Sequence, residues 1–183
     1  MPKLPISLVV LAGYALFSAC TIRHDGEGNG KNIEIKSPFF GIKVNNDSKP
    51  QETGLNLYPG AKQVESDGDD HHNAHVSIDS EHFGLKVVAL TYRAEDSPQK
   101  IIDFYRGDLK RYGKVIECPK GIQDIKGDSN REITCSEKGS EQPGKLDLAV
   151  GTGSRQRIVE VKPKGSGTEF DLVYVQLRKD EAL

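Results

Sequence analysis

The sequence predicts an α+β domain, one main helix packed on a mostly antiparallel β-sheet, preceded by a signal peptide and a flexible tether. Three observations carry that expectation. One segment has helix punctuation at both ends, short runs on either side of it are rich in β-branched and aliphatic residues, and the late runs are joined by Gly- and Ser-rich turns that suit antiparallel hairpins.

The helix is expected over 98–112. Ser97 stands at the N-cap, Pro98 takes the first helical position, where its missing N–H costs nothing, and Gly113 follows the end. Ile101, Ile102, Tyr105, Leu109 and Tyr112 recur at three- and four-residue steps and form one apolar face, which Phe104 widens. Lys100, Asp103, Arg106, Asp108, Lys110 and Arg111 take the wet side. Basic residues in the last turn complement the helix dipole, and the cluster reads as a solvated face rather than a site for phosphate or lipid headgroups.

Strands are expected at 74–78 and 85–93 before the helix, and at 114–118, 131–136, 145–150, 155–162 and 169–177 after it. In the run 85–93 both alternating faces are largely apolar, Leu85, Val87 and Ala89 on one and Val88, Leu90 and Tyr92 on the other, which marks a central strand. Residues 57–179 therefore read as a single domain with one core, and 180–183 as a tail.

The N-terminus has a different character. Lys3 supplies a small positive region and the mostly apolar stretch from Leu4 to Phe17 is too short to span a bilayer comfortably, the pattern of a removable signal peptide over 1–19. Its ending, Phe17-Ser18-Ala19-Cys20, resembles the lipobox of bacterial lipoproteins, with Phe17 where that family usually has Leu. The resemblance implies acylation of Cys20 and anchoring in the bacterial cell envelope through more than one acyl chain, enough for stable attachment. Because Thr21 is not an aspartate, it also favours the outer over the inner membrane, with the domain in the periplasm or on the cell surface. The competing reading is an ordinary secreted or inner-membrane protein in which Cys20 is incidental.

Residues 20–56 read as the lipidated cysteine and a polar tether rich in Gly, Asn, Asp, Lys and Ser. Inside it Ile33 and Ile35 alternate with charges, and a second apolar patch runs from Phe39 to Val44. These fit a small hairpin on the protein's own domain, or a strand added to the sheet of a protein partner in the envelope.

Setting Cys20 aside leaves Cys118 and Cys135 as an even pair in an oxidising compartment, and a disulfide between them is expected. A redox or metal role has less support, because there is no Cys-x-x-Cys spacing and no histidine nearby in sequence. The formal net charge of −2 removes the usual argument for a nucleic-acid partner. The combination of Tyr58-Pro59-Gly60-Ala61, Asp96-Ser97-Pro98, Phe104-Tyr105-Arg106, Leu109 and Tyr112-Gly113 resembles an uncharacterised family of exported bacterial proteins and lipoproteins over most of 57–177. That resemblance implies a fold and an address and transfers no activity.

Two candidate sites stand out. His71, His72 and His75, with Asp69 or Asp70 as an oxygen ligand, concentrate metal-ligating types in a few residues, without the spacing of a specific zinc or copper site. The turn Gly151-Thr152-Gly153-Ser154-Arg155, with Arg157, offers backbone N–H groups and cations to an anion, but lacks the Lys-Ser ending and following helix of a P-loop. No Gly-x-Ser-x-Gly elbow and no His-Glu-x-x-His is present. The leading expectation is a non-catalytic envelope lipoprotein, without a cofactor, whose domain binds a partner or ligand or supports envelope structure. The alternative is a metal-dependent periplasmic enzyme or metal-binding protein using the histidine cluster.

Overall fold

The computed structural model describes residues 21–25, 32–37, 40–45, 48–64, 73–123 and 130–179. Three strands come first: β1 (Thr21–Asp25), β2 (Asn32–Lys36) and β3 (Phe40–Asn45). A 3₁₀ turn (Pro50–Thr53) leads to β4 (Lys62–Gln63), β5 (Asn73–Ser80) and β6 (Phe83–Ala94). The helix α1 (Pro98–Leu109) and a second 3₁₀ turn (Lys110–Tyr112) precede β7 (Ile116–Cys118), β8 (Leu146–Thr152), β9 (Arg155–Lys164) and β10 (Gly167–Lys179). The fold is α+β, as the patterning predicts: the described residues form a ten-stranded antiparallel sheet in the order β1-β2-β3-β5-β6-β10-β9-β8-β7, with β4 pairing on β6 beyond the end of β5.

Cross-strand register explains the core. Val88, Tyr174, Arg157 and Val150 form one row across β6, β10, β9 and β8; Leu90, Leu172, Val159 and Leu148 form the next; Tyr92, Phe170, Val161 and Leu146 form the third. Against these rows α1 lays Ile101, Ile102, Tyr105 and Leu109, all buried. The aromatic centre is tight: Phe170 lies 5.4 Å from the Tyr105 ring and 5.8 Å from that of Tyr92, and Phe104 meets Tyr58 edge-on at 5.2 Å.

The helix keeps the expected start, but Ser97 makes no side-chain capping bond, and the last turn tightens into 3₁₀ before Gly113. The stretch 131–136 makes only isolated bridges, Glu132 to Thr152 and Ile122 to Cys135, instead of a continuous strand. Cys118 and Cys135 are joined by a disulfide, with Cα atoms 5.1 Å apart, which closes the loop between β7 and that bridged segment.

The larger departure is N-terminal. Composition assigns 20–56 to a polar tether, yet the described strands β1, β2 and β3 extend the sheet, and the Ile33/Ile35 and Phe40–Val44 patches pair with each other and, through β3, with β5 of the same chain. The folded unit also begins before residue 57. Thr53 and Leu55 are buried, and the Asn56 backbone N–H and side-chain amide both donate to the Asp108 carboxylate, at 2.9 and 2.7 Å. The hairpin expected on the protein's own domain is thus present, and what composition places too late is the start of the folded unit, because polar residues alternate with the aliphatic ones that do the pairing.

Candidate functional site: the open face of the sheet

The sheet has two faces of different fate. On β6, Val88, Leu90 and Tyr92 turn toward α1, so Leu85, Val87 and Ala89 turn the other way. On that opposite face the register builds two aliphatic rows. Val175, Val87, Val76, Val44 and Ile33 lie side by side on β10, β6, β5, β3 and β2, and Leu177, Leu85, Ile78, Ile42 and Ile35 lie beside them. Beyond Ile35 the backbone register runs on to residue 22 of β1. At the strand spacing of a sheet, each five-strand row is about 19 Å wide. All ten side chains are half-buried with no described element laid over them, and Phe40, on the same face, is 42 % exposed.

The other end of the same face is ionic. Asp147, Glu160, Asp171 and Thr91 form one row across β8, β9, β10 and β6; the next holds Lys162, Glu169 and Arg93. All of these except Arg93, with Ile122, Ile158, Val173 and Ala89, line an open basin of about 750 Å³. Lys162 Nζ lies 3.1 Å from Glu169, 3.5 Å from Asp171 and 4.0 Å from Glu160; Lys145 reaches Glu160 at 3.0 Å, and Thr91 Oγ1 donates to Asp171 at 2.6 Å. Asp147 differs. It is 6 % exposed, and its Oδ1 is buried without a hydrogen-bond partner. Burial, then the neighbouring Glu160 charge, push its pKa up to about 6, with Lys145 pulling the other way.

Of the residues singled out from sequence, the described ones fall elsewhere. His71, His72, Asp69 and Asp70 lie outside the described residues, as does Cys20. His75 sits on β5 and faces the helix side, where its Nδ1 is 2.9 Å from Glu52 Oε2 but off the line of a good hydrogen bond. Burial lowers its pKa, against the opposing pull of Glu52. Among the described residues no group of three His, Cys, Asp or Glu side chains converges on a metal position. The glycine-rich turn joins β8 to β9; the Gly153 N–H donates to the Arg131 carbonyl, and Arg157 is spent on packing. Its guanidinium lies 3.7 Å from the Tyr112 ring centre and 4.8 Å from that of Tyr174, and its Nε donates to the Thr53 carbonyl at 2.9 Å.

The motifs behind the family resemblance meet in one place. Tyr105 Oη accepts from the Tyr58 N–H at 3.2 Å, and Tyr58 Oη donates to Asp96 at 3.0 Å, while Lys100 also holds Asp96, at 2.7 Å. Tyr112 donates to the Gly54 carbonyl. The pattern thus ties the entry turn to the helix and has a structural explanation. Among the described residues no helix is long and apolar enough to cross a membrane. The chain matches no family model, no curated protein and no solved structure.

Proposed function

We propose that this chain is an exported, non-catalytic lipoprotein, acylated at Cys20, whose domain lies on the lipid surface through the open aliphatic face of its sheet. The carrying observation is the pair of charge-free rows from Ile33 to Val175 and from Ile35 to Leu177. Water is a poor neighbour for so many adjacent aliphatic side chains, and a patch of this kind marks a surface with an occupant. The lipid surface is favoured as that occupant because β1 begins at Thr21, directly after the cysteine. Acyl chains on Cys20 would hold the β1 edge of the sheet at the bilayer. The two contacts reinforce one another, since an anchored domain meets the membrane at high effective concentration. The disulfide suits an oxidising compartment, and Thr21 favours the outer membrane.

Intact-mass analysis of the membrane fraction from bacteria expressing the full chain tests the anchor. The expected species begins at Cys20 and carries acyl mass that Cys20→Ala abolishes. An unacylated species that retains residues 1–19 would overturn the anchor.

A further inference from the structure

The basin beside the aliphatic rows has a chemistry of its own. Among its described side chains, Glu160, Glu169 and Asp171 each have a lysine ammonium within 4.0 Å, and Asp147 has none. Asp147 is nonetheless the most enclosed of them. Its register partner on one side is Cys118 of the disulfide and on the other Glu160. Gly121 closes over it so nearly that a β-carbon there would lie 3.6 Å from Oδ2. Ile122, bridged in register to Cys135, forms the neighbouring wall. The disulfide therefore holds the rim of a basin whose deepest acceptor is left unused.

A buried carboxylate oxygen without a donor costs free energy that an incoming donor recovers. An anion is repelled by the same group. A divalent metal would need the carboxylates to converge, but Lys162 stands among Glu160, Glu169 and Asp171 and takes their charge. What remains is a donor carrying positive charge, on a body that Ile122, Ile158, Val173 and Ala89 can cover. The geometry points to a binding site for a primary ammonium on a short apolar chain, with the ammonium donating to Asp147 and the chain lying on those four side chains.

The ammonium can belong to a free amine or to an ethanolamine lipid headgroup, since the basin shares its face with the aliphatic rows; only the second source rests on the membrane reading above. Burial that keeps Asp147 half-protonated near pH 6 leaves it mostly ionised at neutral pH, as the contact requires.

The test is titration of the full chain, purified in non-ionic detergent at pH 7.5, with n-pentylamine, following backbone amide shifts. Saturable shifts at 121–122, 147 and 158 are expected, with 1-pentanol binding at least tenfold more weakly, the factor for one charge-assisted bond. Asp147→Asn should bring the amine down to the alcohol's affinity while the rest of the amide spectrum stays folded, and Ile122→Ala should weaken both probes alike. Equal binding of amine and alcohol, an Asp147→Asn protein that still prefers the amine, or no saturable shift at millimolar amine overturns the site. Calcium chloride displacing the amine in an Asp147-dependent way replaces it with a metal site. Ethanolamine-headgroup vesicles that compete where choline-headgroup vesicles do not assign the ammonium to lipid; equal failure of both assigns it to a free amine and leaves the membrane reading to its own test.

Discussion

One sheet carries two apolar surfaces, and they differ in what covers them. On β6, β10, β9 and β8 the surface facing α1 is closed by Ile101, Tyr105, Leu109 and the aromatic rings packed around Phe170. On β2, β3, β5, β6 and β10 the opposite surface is equally aliphatic and stays half-exposed. The closed surface is where burial stabilises the fold, and the open one is left uncovered by any described element, which leaves the free energy that the proposed membrane contact would draw on. β6 and β10 belong to both, which is why β6 is apolar on each alternating face.

The sharpest way to break this comparison is to truncate matched residues on the two surfaces. Phe170→Ala should cost about 3–5 kcal/mol in denaturant unfolding, because a fully buried ring packed among Tyr58, Tyr92 and Tyr105 leaves a cavity. Val76→Ala, on the open rows, should cost less than about 1 kcal/mol. Equal losses would mean that the open rows are packed in the free protein.

Next in size is the disulfide. Cys118→Ser with Cys135→Ser should cost about 3 kcal/mol, the loop-closure value for this sequence separation of 17, and should loosen the rim above Asp147. Amide exchange at 121–122 and 147 reads the second effect separately from the first.

Asp147→Asn should move stability the other way, by about 2 kcal/mol at pH 7. The sign follows from linkage. An unfolded Asp titrates near 3.9, and the folded one is pushed up to about 6, so the native state holds the extra proton between those values and loses stability as pH rises from about 4 to 6. The groups facing it are Lys145 on the chain leading into β8, Glu160 on β9 and Asp171 on β10. Melting curves at pH 4 and pH 7 should show the advantage of the asparagine only at the higher pH. His75 works in the opposite direction. Its lowered folded pKa leaves no penalty above about 6.5 and a growing one below it, as the unfolded imidazole takes up its proton first.

The smallest effect is expected at Tyr92, inside the closed surface. Its hydroxyl is buried with no hydrogen-bond partner, so Tyr92→Phe should be neutral or stabilising by about 1 kcal/mol. A clear loss would mean that the oxygen makes a bond this structure lacks.

What was legible in the sequence was local. The helix with Pro98 and Gly113 at its ends, the central strand with two apolar faces and the Cys118–Cys135 pair could be read because each signal sits within a few residues or in simple cysteine arithmetic. The destination of the N-terminal strands was not legible. Ile33 and Ile35 alternate correctly and pair with the adjacent β3, but where that hairpin docks is decided by β5, much further along the chain, and the surrounding Gly, Asn and Lys dilute the signal. Asp147 was missed for a related reason. Acids are frequent here, and what sets this one apart is enclosure by Gly121 and the disulfide. The available signal was a single charge inside the run Leu146-Asp147-Leu148-Ala149-Val150, where every neighbour is apolar.

The chain contains no tryptophan, so one introduced indole reports its own surroundings. The most direct test of the account compares Ile42→Trp, on the open face of β3, with Lys43→Trp, one residue on and facing the helix side, in the acylated full chain on vesicles with brominated acyl chains. The account predicts strong quenching of the indole at 42 and little at 43. Equal quenching at both positions, or none at 42 together with a concentration-dependent blue shift in the absence of lipid, would contradict it, the latter by giving the open face to a second copy of the chain.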